Sequence, residues 1–308
     1  MTCLVLPVLW LPALICAQQA SSKSVSDVRA PSPDLLDDVL DFDRAIHDDS
    51  TIQLAKDAAR RYSNSLKGCS AHRTDEEAPR ECFLNVLLGR DGIRAAVTDA
   101  SASESTVTHA LTQGSGPCAS LVAATLALTE AFDDPFLATV LRDHVLLAAS
   151  NSPSVYYETL LGGERQTSRD VANHASPPSG EPIRVDGRKY LAYYLDNLAA
   201  RLVEEGREEL AETFFNKALS RSPRAGRIRY NYGTFLLGEK RYDEALDELD
   251  QAIRLGWNDA FAFSNRGVAR WKLGRMKNAR RDFERAIALD PANSEARRNL
   301  QLLSGATD

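Results

Sequence analysis

The sequence is short of surplus positive charge, of sulfur and of long apolar spans, and each shortage removes a class of function. Of 308 residues, 37 are Lys or Arg and 43 are Asp or Glu, a net charge of −6. Phosphate binding draws on clustered Lys and Arg, so this balance gives no electrostatic ground for a nucleic-acid partner. Basic residues do gather late in the chain, at Arg266, Arg270, Lys272, Arg275, Lys277, Arg280 and Arg281. Apolar residues at helical spacing are interspersed with them, so they read as a solvated helix face. There is no glycine-rich nucleotide loop and no serine nucleophile elbow. His47, His72, His109 and His174 stand in polar or irregular stretches without ligand spacing, so neither a metal site nor a cofactor is expected.

The first residues, "MTCLVLPVLWLPALICA", form an apolar run too short to span a bilayer as a helix. Such a run resembles an export signal, removed after Ala17, although its start carries no Lys or Arg. Two alternatives stay open: a lipid anchor on Cys16, against which the bulky Ile15 argues, and a retained N-terminal strand. Membrane association is expected only with that anchor. Loss of the leader removes Cys3 and Cys16 and leaves Cys69, Cys82 and Cys118 of the five cysteines. Cys69 and Cys82 bracket a polar stretch and would pair in an oxidising compartment. The thiol left over is Cys118, either buried and inert or chemically used.

With 44% hydrophobic residues the chain is long enough for two cores. The C-terminal third repeats itself with a period of 34. Asn197-Leu-Ala199 returns as Asn231-Tyr-Gly233 and Asn265-Arg-Gly267. The same shift relates Ala211, Ala245 and Ala279; Phe215, Leu249 and Phe283; Ala218, Ala252 and Ala286; and Pro223, Trp257 and Pro291. This pattern resembles the tetratricopeptide repeat, in which small residues let antiparallel helices approach and large ones fill the gaps between pairs. Three repeats are expected over 192–225, 226–259 and 260–293, with "SEARRNLQLL" from Ser294 as a capping helix, so that 190–304 forms an all-α solenoid. Such a solenoid implies a protein or peptide held in its concave groove. Ala199 and Trp257 depart from the glycine and proline of the pattern.

Upstream, residues 18–31 read as a disordered lead-in. Leu35, Leu36, Val39, Leu40 and Ile46 have helical spacing with Ser32 near the start; Ile52, Ala55, Ala59, Tyr62 and Leu66 predict a second helix behind Ser50 and Thr51. Short helices are expected over 83–88 and 105–111. "CASLVAATLALTEAF", from Cys118 to Phe132, predicts a buried helix. Residues 138–150, dense in Val and Leu, predict one buried strand, and "SVYYET" a second, ending before Gly162-Gly163. The polar, turn-rich stretch from 162 to 189 reads as a linker, assigned to 166–189 once the upstream domain is taken to close at 165.

A thiol attacks as its thiolate, which a helix N-terminus stabilises through unpaired N–H groups and the macrodipole. Cys118 follows Gly114-Ser-Gly-Pro117, a turn whose proline suits a first helical position. A nucleophile also needs a base and a group to orient it. If the turn between the strands centres on Asn151, His144 and Glu158 lie seven residues on either side and face each other across a hairpin. Gln113 is a candidate oxyanion donor beside the backbone N–H of Cys118. "GPCASL", then "DHVLL", then "YET" ahead of Gly162-Gly163 resemble the bacterial transglutaminase-like core, a papain-related cysteine fold, over roughly residues 81–165. That resemblance implies an α+β domain over 32–165 with Cys118 as nucleophile, His144 as base and Glu158 as orienting acid, where the family more often carries Asp or Asn.

The expectation is an exported thiol acyl-transfer enzyme, most simply a peptidase or amidase, with repeats that dock substrate or partner. Bland readings stand beside it: Cys118 as a small hydrophobe, His144 as a core histidine, Glu158 as a partner of Arg142 or Arg165. The alternative is a catalytically inert interaction scaffold.

Overall fold

The computed structural model describes residues 34–70, 78–89, 91–95, 100–132, 136–141, 144–152, 154–159, 163–167 and 183–305. The expected leader, the lead-in, Cys3, Cys16, Ser32, His72, Arg142 and His174 lie outside these residues. Among the described residues, the chain divides between Arg201 and Leu202 into two compact units.

In the first unit, α1 (Leu35–Asp43) starts where the Asp34 carboxylate accepts the Leu36 N–H, and it buries Leu35, Val39, Leu40 and Phe42. Helix α2 (Asp49–Ser70) is capped by Asp48 rather than by Ser50 or Thr51. The Asp48 carboxylate accepts the Thr51 N–H and the Ser50 hydroxyl, each at 2.7 Å, and the hydroxyl bond is the main reason its pKa falls to about 2. Ile52, Ala55, Ala59 and Leu66 form the buried stripe of α2. Its end is joined to α3 (Ala78–Leu88) by a disulfide between Cys69 and Cys82. Closing a loop of that length stabilises the fold by about 3 kcal/mol in chain-entropy accounting.

Helix α4 (Val107–Gln113) is capped by the Thr106 hydroxyl, which accepts the His109 N–H, and ends on Gly114 at φ 66. Two short strands, β1 (Arg94–Ala95) and β2 (Ser115–Gly116), pair in parallel. A Cβ at Gly116 would lie 2.7 Å from Ser120 Oγ and 3.3 Å from Ala110 Cβ, so any larger residue here would have to displace the Ser120 side chain. Helix α5 (Cys118–Thr129) follows at once, buried along almost its whole length, with Pro117 at the N-cap. It packs on β3 (Phe136–Val140) and β4 (Val145–Ala149).

The main sheet is antiparallel, in the order β6-β5-β4-β3-β7, with β5 at Val155–Glu158, β6 at Glu164–Thr167 and β7 at Ile183–Val185. Two expectations are corrected here. Residues 138–150 do not form one strand: they belong to the β3–β4 hairpin, closed by the Leu141 N–H on the His144 carbonyl, so His144 sits at the start of β4 and not in mid-strand. The stretch 166–189 is not only a linker, because it supplies the end of β6, all of β7 and the first residues of α6 (Gly187–Glu204).

Among its described residues, the second unit is all α. It contains α7 (Glu208–Arg221), α8 (Gly226–Gly238), α9 (Tyr242–Arg254), α10 (Ala260–Lys272), α11 (Met276–Leu289) and α12 (Ser294–Gly305). Ala211, Ala218, Ala245, Ala252, Ala279 and Ala286 are all fully buried, which is what close helix pairing requires. A Cβ on Gly267 would lie 2.6 Å from the Phe283 ring, so α10 and α11 meet through that glycine. Gly206, Lys240 and Gly274, spaced by 34, share a positive φ of 68, 62 and 73° at the turns into α7, α9 and α11. The basic face needs a correction as well. Arg266 and Arg270 of α10 turn onto Asp250 of α9 and Asp282 of α11 at 2.7 to 3.3 Å, whereas Lys272 to Arg281 include the exposed cations.

Candidate functional site

Cys118 is the first residue of α5 and is 5% exposed. Its position follows from the Gly114 turn, from β2, which is anchored on β1, and from Pro117, which ends the extended segment. A helix directs the N–H groups of its first turn outward along the axis, so this position favours negative charge. The side chain of Ser120 turns back onto the Pro117 carbonyl at 2.9 Å and tightens this turn.

The structure brings His144 and Glu158 together. The imidazole Nε2 and the carboxylate Oε2 are 2.7 Å apart, and both side chains are about nine-tenths buried. The pairing differs from the sequence reading by one step of the turn. Leu147 faces Tyr157 and Ala148 faces Tyr156, so Glu158 stands level with Leu146, two residues from His144. A two-residue offset keeps both on one side of the sheet, and the diagonal is within reach of long side chains. A carboxylate this close holds the ring in one orientation and one tautomer.

Gln113 is exposed at the last residue of α4. Cys69 and Cys82 form the disulfide already described. His47 binds the Thr106 hydroxyl through Nε2 at 2.8 Å, and burial lowers its pKa, as it does that of His109. Among the described residues, no group of three or more His, Cys, Asp or Glu could hold a metal ion, and no helix is long and apolar enough to cross a membrane.

A polar cluster that the sequence reading does not anticipate lies at the start of α4. Asp43, fully buried at the end of α1, accepts the Thr108 N–H at 2.8 Å and the Thr108 hydroxyl at 2.7 Å. It also accepts the Tyr194 hydroxyl at 2.7 Å, while that hydroxyl accepts the Val107 N–H at 2.9 Å. Burial outweighs these bonds and pushes the Asp43 pKa up to about 6, and burial also raises that of Tyr194 well above its usual value. The one signal in the sequence is spacing: Asp43 continues the inward positions Leu35 and Val39 at four-residue steps.

In the second unit, α8 and α10 are neighbours. Their shared face presents half-buried Tyr230, Thr234 and Asn265, where the Asn265 amide donates to Thr234 Oγ1 at 3.0 Å and to the Tyr230 hydroxyl at 3.5 Å. The Tyr230 ring lies 6.1 Å from that of Trp257.

Comparison with known proteins places the repeats. Residues 202–260 match one tetratricopeptide repeat family model and residues 260–293 a second. The chain is 25% identical to RNA polymerase II-associated protein 3 of Mus musculus over 143 residues, which is 46% of this chain and 21% of that protein. It is 32% identical to the type IV pilus assembly protein PilF of Pseudomonas aeruginosa over 95 residues, 30% of this chain and 38% of PilF. The chain thus spans about a fifth and under two fifths of these relatives. Among solved structures, the first tetratricopeptide domain of Spaghetti (RPAP3), bound to an HSP90 peptide, is similar at 25% identity, covering 39% of this chain and 94% of that one with a TM-score of 0.38. YrrB, described as having an unusual peptide-binding site, is similar at 28% identity over 38% of this chain and 60% of that one, with a TM-score of 0.36. The C-terminal region is a tetratricopeptide-repeat array.

Proposed function

We propose that the protein is an interaction protein whose repeats hold an extended protein or peptide segment. The observation that carries this reading is the α8–α10 face, where Tyr230, Thr234 and Asn265 lie side by side and only partly buried. An aromatic ring and an amide at this spacing suit a peptide backbone and an apolar side chain, because the amide can bond a main-chain group while the ring covers carbon. The cations Arg266 and Arg270 are already engaged by Asp250 and Asp282, so the ligand is read through neutral polar and aromatic groups more than through charge. Calorimetric titration against a library of unstructured peptides tests it. Asn265→Ala with Tyr230→Ala is expected to weaken binding roughly tenfold, about 1.4 kcal/mol, with little change in melting temperature. A library in which no peptide binds, or a bound peptide indifferent to both changes, overturns the assignment.

The buried contact between His144 and Glu158 favours a second reading, thiol acyl transfer by the first unit. In this reading Cys118 Sγ attacks an amide carbonyl carbon, His144 carries the thiol proton to the leaving amine, and water or a second amine opens the thioester. Glu158 holds the imidazole for that transfer. The transglutaminase-like resemblance and the export of the chain after removal of residues 1–17 belong to this reading; the disulfide suits an oxidising compartment. The test is the pH dependence of Cys118 alkylation by iodoacetamide. The expected midpoint lies below the ordinary thiol value of about 8.5, and His144→Gln moves it back up. A wild-type midpoint equal to that of a free peptide thiol ends the catalytic reading.

A further inference from the structure

Helix α6 buries three tyrosines, Tyr190, Tyr193 and Tyr194, and the hydroxyls of two of them one turn apart, Tyr190 and Tyr194, each reach a different helix start. The Tyr190 hydroxyl donates to the Ala119 carbonyl of α5 at 3.1 Å, one residue beyond Cys118. The Tyr194 hydroxyl accepts the first N–H of α4, from Val107, and donates to Asp43, which in turn holds the N–H and hydroxyl of Thr108. Helix α4 runs directly into Gly114, β2 and Pro117. The segment that presents Cys118 is therefore fixed at both ends by one helix. Gly187, at the head of α6, keeps the helix close: a Cβ there would lie 2.5 Å from Leu35 and 3.3 Å from Leu126.

We propose that Tyr190 is a positioning residue for Cys118, its hydroxyl fixing the first turn of α5 against α6 while Tyr194 and Asp43 fix the start of α4. The inference rests on the reading of Cys118 as a nucleophile for its functional meaning, and on the geometry alone for its mechanical content. The Ala119 carbonyl also belongs to the helix ladder, so its second bond, from outside the helix, limits fraying of the turn on which the sulfur sits. Loss of this bond lets the thiol sample orientations in which the N-terminal N–H groups no longer face it.

The test uses the full chain with Tyr190→Phe, which removes one oxygen and keeps the ring, and with Tyr62→Phe on α2 as a control for loss of a hydroxyl elsewhere. Hydrogen exchange of the Leu121 to Ala123 amides is followed together with the pH midpoint of Cys118 alkylation. The expected result is several-fold faster exchange confined to these amides and an alkylation midpoint displaced upward, with neither change in the control. Uniformly faster exchange across the first unit would indicate only general destabilisation and would overturn the proposal, as would unchanged exchange at 121–123. If the wild-type thiol behaves as an ordinary one while exchange still responds to Tyr190→Phe, the catalytic reading falls and the positioning stands. If the thiol is activated but indifferent to the substitution, the positioning falls and the catalytic reading stands.

Discussion

Asp43 combines full burial with three accepted hydrogen bonds, and these act in opposite directions on its proton. Burial in a low-dielectric site disfavours the carboxylate, whereas donors from Thr108 and Tyr194 favour it; burial prevails and the pKa rises from 3.8 to about 6. The folded state therefore binds this proton more tightly than the unfolded chain does. The stabilisation is complete below about pH 4 and is lost as pH climbs towards 6, a change on the order of 3 kcal/mol. Asp43→Asn cannot ionise and lacks that slope. Urea unfolding at pH 4, 5, 6 and 7 is expected to show the variant less stable at pH 4, where the protonated acid makes its bonds without an ionisation cost, with the gap narrowing towards pH 6. His47 and His109 titrate in a neighbouring window but are present in both proteins, so they cancel in the difference. Parallel curves for the two proteins would show that Asp43 does not titrate there.

At the scale of elements, legibility depends on whether the determining force leaves a pattern in side chains. Helix α5 is readable because an apolar run follows a proline and glycines, and the 34-residue period is readable because close helix contact demands small residues at fixed places. The β3–β4 hairpin is not. Its apolar density continues on both sides of a turn that holds no glycine or proline, so two strands look like one and His144 reads as a mid-strand residue. The pairing of His144 with Glu158 is nonetheless legible, for a geometric reason. Moving the turn centre by one residue slides the partner by two, and a slide of two preserves the face. Strands β6 and β7 are short, and "ERQT" and "IRV" owe their place to backbone pairing rather than to a hydrophobic face. Lys240 conceals the recurring left-handed turn because a non-glycine residue stands where Gly206 and Gly274 show it openly. Asp43 and the pair Arg266 and Arg270 are hidden for a shared reason: charged side chains read as solvent-facing unless a partner from another helix is known.

For the whole molecule, the informative residue is the one at which the first unit ends. The repeat period begins near 190 in sequence, yet the first unit continues to Arg201, because Tyr190 and Tyr194 are bonded to Ala119, Val107 and Asp43. Ending the chain at Lys189 would remove two fully buried aromatic side chains, each worth about 2 to 3 kcal/mol of burial. It would also leave the Asp43 carboxylate and the Val107 N–H without Tyr194, at about 1 to 3 kcal/mol for each orphaned group. Together these losses approach the roughly 5 to 15 kcal/mol that holds a typical domain folded. A chain ending at Glu204 keeps both tyrosines and all of α6. The expected outcome is cooperative thermal unfolding, followed by circular dichroism, for the chain ending at Glu204, and no cooperative transition for the chain ending at Lys189. If the two shortened chains melt alike, α6 contributes nothing to the core of the first unit, and the two tyrosine hydroxyls do not hold the turn that carries Cys118.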